Sequence, residues 1–591
     1  MKNKITLIAI VAVFTMISCN KDLINPAIEN NRELEDAYLP SDARFPFAIL
    51  LNGYNRIPTN FWTFNDVATD DAVTNDKTNG YLKIANGQWT ANNNPLNQWT
   101  NCYAAIQYLN IMLGEVDKAK WSTDTTVSRL FAMRIKGEAY GLRALFMFYL
   151  LQAHAGVSES GQLLGVPIIL ESQSTSADFN KFRASFADCM KQLYTDLYKA
   201  EELLPLDYED ANSVGEIPAK YGSITVDQYK LALGKNFRGL LTARIAKGIR
   251  AKAALLAASP AYTPSDDATI WADAANYAAA VINLKGGPTS LAPKGVTWYS
   301  EASEIGALSD GANPQEILWR NNIAENRDLE QQNYPPTLFG SGRINPTENL
   351  VESFPMANGY PITDPASGYD AKNPYNNRDP RLKTFILVNG GTAGPNNTVI
   401  NTAADGTTND ALNKVETSTR TGFYLRKLLR QEVNLNPSST NNQKHYKPHI
   451  RYTEIFLIYA EAANEAWGPM GAGANSFSAY DIIKAIRRRA GVGTTNGDPY
   501  LETAKSSKEA MRTLIRNERR LELCFEGFRF WDMRRWKENL AEVAKGVSIQ
   551  AGNYNIISVE DRLFQSHMIY GPIPYSEVLK YNALQQNKGW R

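Results

Sequence analysis

Apolar positions recur every three to four residues over long stretches of this chain, the spacing that gathers them on one face of an α-helix. The pattern predicts helices over about 97–116 and 127–153. In the second, Met133, Tyr140, Leu142, Leu145, Phe146, Phe148 and Tyr149 spread around most of the circumference. A helix of that kind is buried between neighbours. Further helices are expected over 186–204, where Leu193/Leu197 and Tyr194/Tyr198 fall four apart, and over 243–258, closed by Ser259-Pro260. Trp271, Ala275, Ala278 and Ile282 keep the period up to Gly286-Gly287, a C-cap signal. It returns over 452–466, and again from Ala479 through Ile483, Ile486 and Ala490. Ser506-x-x-Glu509 reads as a capping box opening the last long helix. Paired medium helices bury their apolar faces only by stacking, so a tetratricopeptide-like solenoid is expected, although the match to a strict repeat of about 34 residues is poor.

Two stretches break the period. Residues 285–450 hold 14 of the 28 prolines with many Asn and Gly, a composition that a helical stack does not absorb. Residues 36–98 read similarly, as short helices and Asn-rich turns. Their many aromatic residues argue for ordered loops on a rigid frame, the usual setting of a binding surface. The expected class is mainly α, a helical-pair solenoid packed against a loop-rich lobe with a few short strands. The expected divisions are 1–18, 19–37, 38–96, 97–284, 285–450 and 451–591: leader, tether, first loop-rich insert, first helical part, ligand-binding lobe and second helical part.

The amino terminus has its own pattern. Lys2 and Lys4 precede an uncharged apolar run from Ile5 to Ile17 that ends in Ser18-Cys19. A run this short does not span a bilayer, which needs about 20 residues. It fits a secretory signal peptide. Met16-Ile17-Ser18-Cys19 resembles the bacterial lipobox, in which the cysteine is lipidated and becomes the first mature residue; a plain cleavage site beside Cys19 is the alternative. The start Cys19-Asn20-Lys21-Asp22 resembles acidic, surface-directing starts of lipoproteins in Bacteroidetes-type bacteria.

Charge and chemistry narrow the classes. With 62 Lys and Arg against 61 Asp and Glu, no basic excess exists to hold nucleic acid or anionic lipid. Cys102, Cys189 and Cys524 are too widely spaced for a disulfide framework or a metal site. Cys102 and Cys524 lie among apolar residues, as inert core thiols do. His445 and His449 are four apart, but Pro448 between them disfavours the helix a metal pair would need. No His-Glu-x-x-His, Gly-x-x-x-x-Gly-Lys-Ser/Thr, Gly-x-Ser-x-Gly or Cys-x-x-Cys string occurs, and neither a cofactor nor a metal is expected. The 11 Trp, 29 Tyr and 22 Phe supply ample stacking surface.

The string from Arg516 to Trp536, RNERRLELCFEGFRFWDMRRW, resembles the signature of the SusD/RagB family of surface lipoproteins. Weaker family-like passages stand in the same order along the chain: GEAYGLRALFMFYLLQAHAG, GVPII, NPQEILW, NPTENLVESF, NRDPRL, RYTEIFLIYAEAAN, IKAIRRRAG and PIP. The resemblance implies a non-catalytic outer-membrane lipoprotein with tetratricopeptide-like helices and an irregular ligand-binding lobe. It implies a lid over a SusC-type TonB-dependent transporter, delivering oligosaccharides or, in the RagB manner, oligopeptides.

Glu518, Glu522 and Glu526 fall four apart in one stripe of like charge, with Arg519, Arg529 and Asp532 nearby. Pairs such as Arg519–Glu522 and Arg529–Glu526 offset the repulsion, so the string is read as a structural ion-pair network. A glycoside hydrolase, which needs two carboxyls facing across a cleft, is the least favoured class. For ligand binding the candidates are Asp70, Asp71, Asn79 and Tyr81 in the first insert, and Trp298, Tyr299, Trp319, Asn321, Asn322 and Tyr334 in the second. Rings stack on sugar C–H faces while the polar groups meet hydroxyls. Arg378 and Asp379 are read first as a structural turn; Trp89, Trp99 and Tyr103 are read as core.

Overall fold

The computed structural model describes residues 44–590, apart from 175, 264–266 and 310. The leader 1–18, Cys19 and the tether 19–37 lie outside the described residues.

The periodic stretches fold as expected. The helices that build the frame are α1 (Arg44–Asn55), α2 (Gly80–Ala85), α3 (Trp99–Glu115), α4 (Thr125–His154), α5 (Phe186–Leu203), α6 (Ala243–Ala258), α7 (Ala268–Lys285), α8 (Tyr452–Trp467), α9 (Ala479–Arg489), α10 (Lys508–Leu523) and α11 (Arg529–Arg535). Short polar side chains start several of them: Asp124 accepts from the Thr126 and Val127 N–H groups, and Thr242 from that of Ile245. Each satisfies a donor that the first turn leaves free. Gly286 ends α7 in the left-handed conformation. One cap moves: Ser507, not Ser506, accepts from the third helical N–H, that of Ala510. Ser506 instead closes the preceding turn on the Thr503 carbonyl.

Packing follows chain order. α3 lies on α4, α4 on α5, α5 on α6, α6 on α7, α7 on α8, and α8 on both α9 and α10. Alanines at the α6–α7–α8 contacts, including Ala246, Ala253, Ala274, Ala278 and Ala462, are wholly buried and allow the helices a close approach. The largest apolar cluster runs through this stack without interruption. Helix α1, inside the stretch read as loop-rich, also belongs to it. It packs on α3, where a Cβ on Gly53 would stand 3.1 Å from Leu109.

The irregular lobe is joined by short antiparallel ladders. β1 (Ala72–Thr74), β2 (Ile317–Arg320), β3 (Ala324–Asn326), β4 (Ile344–Pro346), β5 (Gln443–His445) and β6 (Pro448–Arg451) pair as β1–β4, β2–β6 and β3–β5. Val73 stands opposite Asn345, so the first insert is stitched to the second. A hairpin of β7 (Ala544–Gln550) and β8 (Asn553–Glu560) lies in the stretch assigned to the second helical part. Its Val547 and Ile549 join Leu521 and Phe525 in a second cluster with Phe354, Phe385 and Phe423 of the loop-rich lobe. Composition marks where the periodicity stops, but the packing units draw residues from both sides of those boundaries.

The joint between stack and lobe is ionic and buried. Glu518 accepts from Arg487 at 2.8 Å and Arg381 at 3.0 Å; Glu522 from Arg489 at 2.6 Å and Arg381 at 3.1 Å; Glu526 from Lys427 at 2.7 Å and Arg451 at 2.8 Å. The glutamate stripe is thus matched by cations from α9, β6 and the lobe. The neighbouring arginines face elsewhere: Arg519 holds Asp532 at 2.7 Å and Arg529 holds Asp70 at 2.9 Å. The local pairs Arg519–Glu522 and Arg529–Glu526 therefore give way to longer-range ones. Burial by itself would raise the Glu522 carboxyl, but Arg489, Arg451 and Arg381 bring it down to about 2. Removing one partner from such a cluster strands the others in a medium that solvates them poorly. Glu522→Gln is expected to lower the unfolding free energy by about 3–5 kcal/mol in urea denaturation, whereas the exposed Glu325→Gln changes it by less than about 0.5 kcal/mol.

Candidate functional site

Three apolar clusters meet at one cleft. Its walls come from Pro58–Asn65, Tyr81 on α2, the turn at Pro95–Gln98, the ends of α4 and α6, β6, α8, and the chain from Arg519 to Arg535. The interior holds about 150 Å³, a space that in an apolar cavity admits one six-membered ring. Four partly exposed rings line it: Trp62, Tyr81, Phe528 and Trp531. Three apolar clusters support them. Trp62 packs on the lobe core and stacks on Phe64 at 6.1 Å. Tyr81 and Trp531 stand on a small third cluster, in which Trp89, Phe530 and Trp590 make edge-to-face contacts. Phe528 packs on the helical core.

The backbone next to two lining segments is strained. Phe64 and Phe525 adopt left-handed backbone with φ of 48° and 62°, costly for bulky side chains. Asp66 ties the two turns, accepting from the Phe525 N–H at 3.1 Å. Burial, together with neighbouring Asp71, raises the Asp66 carboxyl to about 7. Strain of this kind persists where the surrounding packing enforces it, and it clusters at binding sites.

Polar groups in the cleft are only partly satisfied. Asn65 Oδ1, Glu454 Oε2 and Arg519 Nη1 are buried and lack hydrogen-bond partners among the described residues. The carboxylates are bound to cations: Glu454 to Lys252 at 2.8 Å, Glu526 to Arg451 and Lys427, Asp532 to Arg519 and Arg535. Burial, with Lys447 and Lys252 adding to it, lowers His449 to about 3, so the imidazole is neutral. It bonds Thr59 at 2.7 Å and packs edge-on to Trp319. Among the described residues no group of three or more His, Cys, Asp or Glu side chains is arranged to hold a metal ion.

Of the residues singled out from sequence, Tyr81 lines the cleft, and Asn79 caps the helix that presents it, accepting from the Tyr81 N–H at 2.9 Å. Asn321 acts from behind. Its amide accepts from the Lys447 N–H at 2.7 Å and donates to the Asn60 carbonyl at 3.1 Å, fixing β6 against the Trp62 loop. The structure does not bring the others to the opening. Trp298, Tyr299, Trp319 and Tyr334 are buried, their rings covered by packing; the Tyr334 hydroxyl donates to the Arg430 carbonyl. Asp70 and Asp71 are buried against Arg520 and Arg529. Asn322 is exposed away from the lining. Arg378 bonds the carbonyls of Val351, Phe354 and Pro374, and Asp379 caps a turn of helix and pairs with Arg381. Both are structural. Trp89 and Trp99 are buried; Tyr103 is half-buried and donates to Pro167. Cys102, Cys189 and Cys524 are buried free thiols.

Sequence reasoning missed Trp62, Phe528, Trp531 and Lys447. Phe528 and Trp531 lie inside the string read as an ion-pair network. Trp62 sits in Phe61-Trp62-Thr63-Phe64, where nothing local tells the lining ring from the exposed Phe61 or the buried Phe64.

Family profiles match most of the chain: that of the SusD family over residues 308–590, and one described as starch-binding associating with outer membrane over 48–224. The chain belongs to the SusD/RagB family. This SusD-family protein is similar to SusD-like protein P2 of Formosa agariphila, with 36% identity over 100 residues, 17% of this chain and 18% of that protein. The match thus spans under a fifth of that relative's length. Solved structures cover far more. A SusD-like protein of Bacteroides fragilis superposes with a TM-score of 0.71 at 20% identity, over 94% of this chain and 98% of that one. A SusD-like carbohydrate-binding protein of the same species gives 0.66 at 23%, over 92% and 98%. A laminarin-binding SusD-like protein gives 0.56 at 18%, over 92% and 99%. At these identities the likeness establishes the fold.

Asn321→Ala is expected to cost about 1 kcal/mol and to speed hydrogen–deuterium exchange at the Lys447 amide, leaving protection within α4 unchanged.

Proposed function

We propose that this protein is a non-catalytic binding protein that captures an oligosaccharide in the cleft at Trp62, Tyr81, Phe528 and Trp531. One observation carries the reading: a ring-sized space is lined by aromatic faces, and lining residues carry buried side-chain donors and acceptors without partners among the described residues. A sugar ring needs both. Its C–H faces pack on aromatic rings, and each hydroxyl donates and accepts. The names of the SusD-like relatives, carbohydrate-binding and laminarin-binding, agree with this class. The cleft carboxylates are engaged by Lys and Arg, which does not suit the protonated carboxyl that glycoside hydrolysis requires.

The remaining parts follow from the amino terminus and the family. Lipidation at Cys19 would anchor the chain to the outer membrane, on its outer face. Among the described residues no helix is long and apolar enough to cross a membrane. The protein then acts as the lid of a SusC-type TonB-dependent transporter, closing over bound glycan to deliver it. An oligopeptide-binding lid of RagB type is the alternative. It would present backbone-directed groups along a groove, whereas the unpartnered atoms here belong to side chains.

Isothermal titration against a panel of glycans and tryptic peptides, with products assayed, tests the reading. Glycan binding without turnover supports it; peptide binding alone, or hydrolysis, overturns it. Trp62→Ala and Trp531→Ala are each expected to weaken glycan binding about tenfold, the loss of one stacking contact of roughly 1.4 kcal/mol, and to lower the melting temperature by a few degrees through the packing each ring loses. Cys19→Ala is expected to shift the protein from the outer-membrane to the soluble fraction.

A further inference from the structure

The cleft is charged asymmetrically. Five cationic side chains line it, Lys252, Lys447, Arg451, Arg519 and Arg535, against three carboxylates, Glu454, Glu526 and Asp532. Four of the cations hold a carboxylate directly: Lys252 with Glu454, Arg451 with Glu526, Arg519 and Arg535 with Asp532. Lys447 does not. Although it is only 8% exposed, none of the ion pairs among the described residues includes it. Its ammonium donates to the Phe61 carbonyl and lies 5.0 Å from the centre of the Trp62 ring. A carbonyl and a π-face orient a cation without neutralising it, and an ammonium has three protons to donate. An uncompensated buried charge is costly, and the usual remedy is a counter-charge. Arg519 adds a second cationic donor without a partner at Nη1.

We infer that the sugar ring bound in this cleft is an anionic one, carrying a carboxylate or sulfate that Lys447 neutralises beside Trp62. This rests on the glycan-binding reading above and names the class of glycan. Trp62 meets the face of the ring while Lys447, held over the same indole, meets the charged substituent. A neutral sugar in that position leaves the ammonium uncompensated.

The pH dependence follows from the surroundings. Burial, followed by the nearby Lys252, lowers the Lys447 ammonium to about 7, opposed by Asp66 and Glu526. The groups facing it are Lys252 from α6, Asp66 behind the Trp62 loop, Glu526 after α10, and neutral His449 on its own strand. The cation is present below that value and lost above it. An anion binding at higher pH must bring a proton with it, so affinity falls about tenfold per pH unit above 7.

Titration of acidic oligomers (oligogalacturonate, oligomannuronate, sulfated galactan) and neutral ones (laminari-, manno- and galacto-oligosaccharides) at pH 6 and 8 tests this. The expected result is an acidic oligomer binding at least tenfold tighter than any neutral one at pH 6, the advantage shrinking about tenfold by pH 8. In Lys447→Met the advantage disappears, and in Lys447→Arg it persists at pH 8. A neutral oligomer binding best, with no response to pH or to Lys447→Met, overturns the inference and leaves the glycan reading standing. Binding of none of the six overturns both. The wild-type pH series needs no variant, so a folding defect in Lys447→Met does not remove the test.

Discussion

A stripe of three glutamates, Glu518 and Glu522 on α10 and Glu526 just beyond its end, holds the two halves of this molecule together. Glu518, Glu522 and Glu526 would repel one another on an isolated helix. In the folded chain they are met by Arg487 and Arg489 from α9, Arg451 from β6, and Arg381 and Lys427 from the irregular lobe. These cations arrive on four segments, so the stripe is satisfied only when all four are in place. The arrangement adds specificity as much as stability, since buried ion pairs gain little over apolar packing and lose much when incomplete.

The cleft is a consequence of that joint. Around Glu526 the chain turns through the strained Phe525, then presents Phe528 just ahead of α11 and Trp531 in its first turn. The facing loop, with Trp62 and Asn65, is held by Asp66 on the Phe525 N–H and by Asn321 on Asn60. One set of interactions therefore fixes the lobe on the helical stack and sets the aromatic rings around the opening. The rings inherit rigidity from three separate apolar clusters. That lowers the ordering cost of binding, because the protein side of the site is formed in advance.

The distribution of charge across the joint separates structural from available groups. Arginines that pair with carboxylates cannot also serve a ligand without loss, and in the cleft Lys447 is set apart from them by its two neutral partners. Trp62 links it to the stacking surface. Recognition of a ring and recognition of its charge then share one platform, and the platform lies next to the element that holds the fold together.

Periodicity alone determined the helices: α3 to α8 begin and end within about three residues of their expected bounds, because burial of a continuous face leaves a mark at every turn. The same local information marked the irregular lobe and the stripe at 518–526. It expected short helices where α1 lies without tying that helix to the main core, and it did not find the β7–β8 hairpin, whose strands pack on residues over a hundred positions away. For the site, the sequence yielded Tyr81 and its cap Asn79, and placed Trp298, Trp319 and Tyr334 among the candidates. Only the tertiary structure decided between them. An aromatic residue in a loop has the same local signature whether its face meets solvent or another ring, and which of the two it meets is fixed by segments brought together from far along the chain.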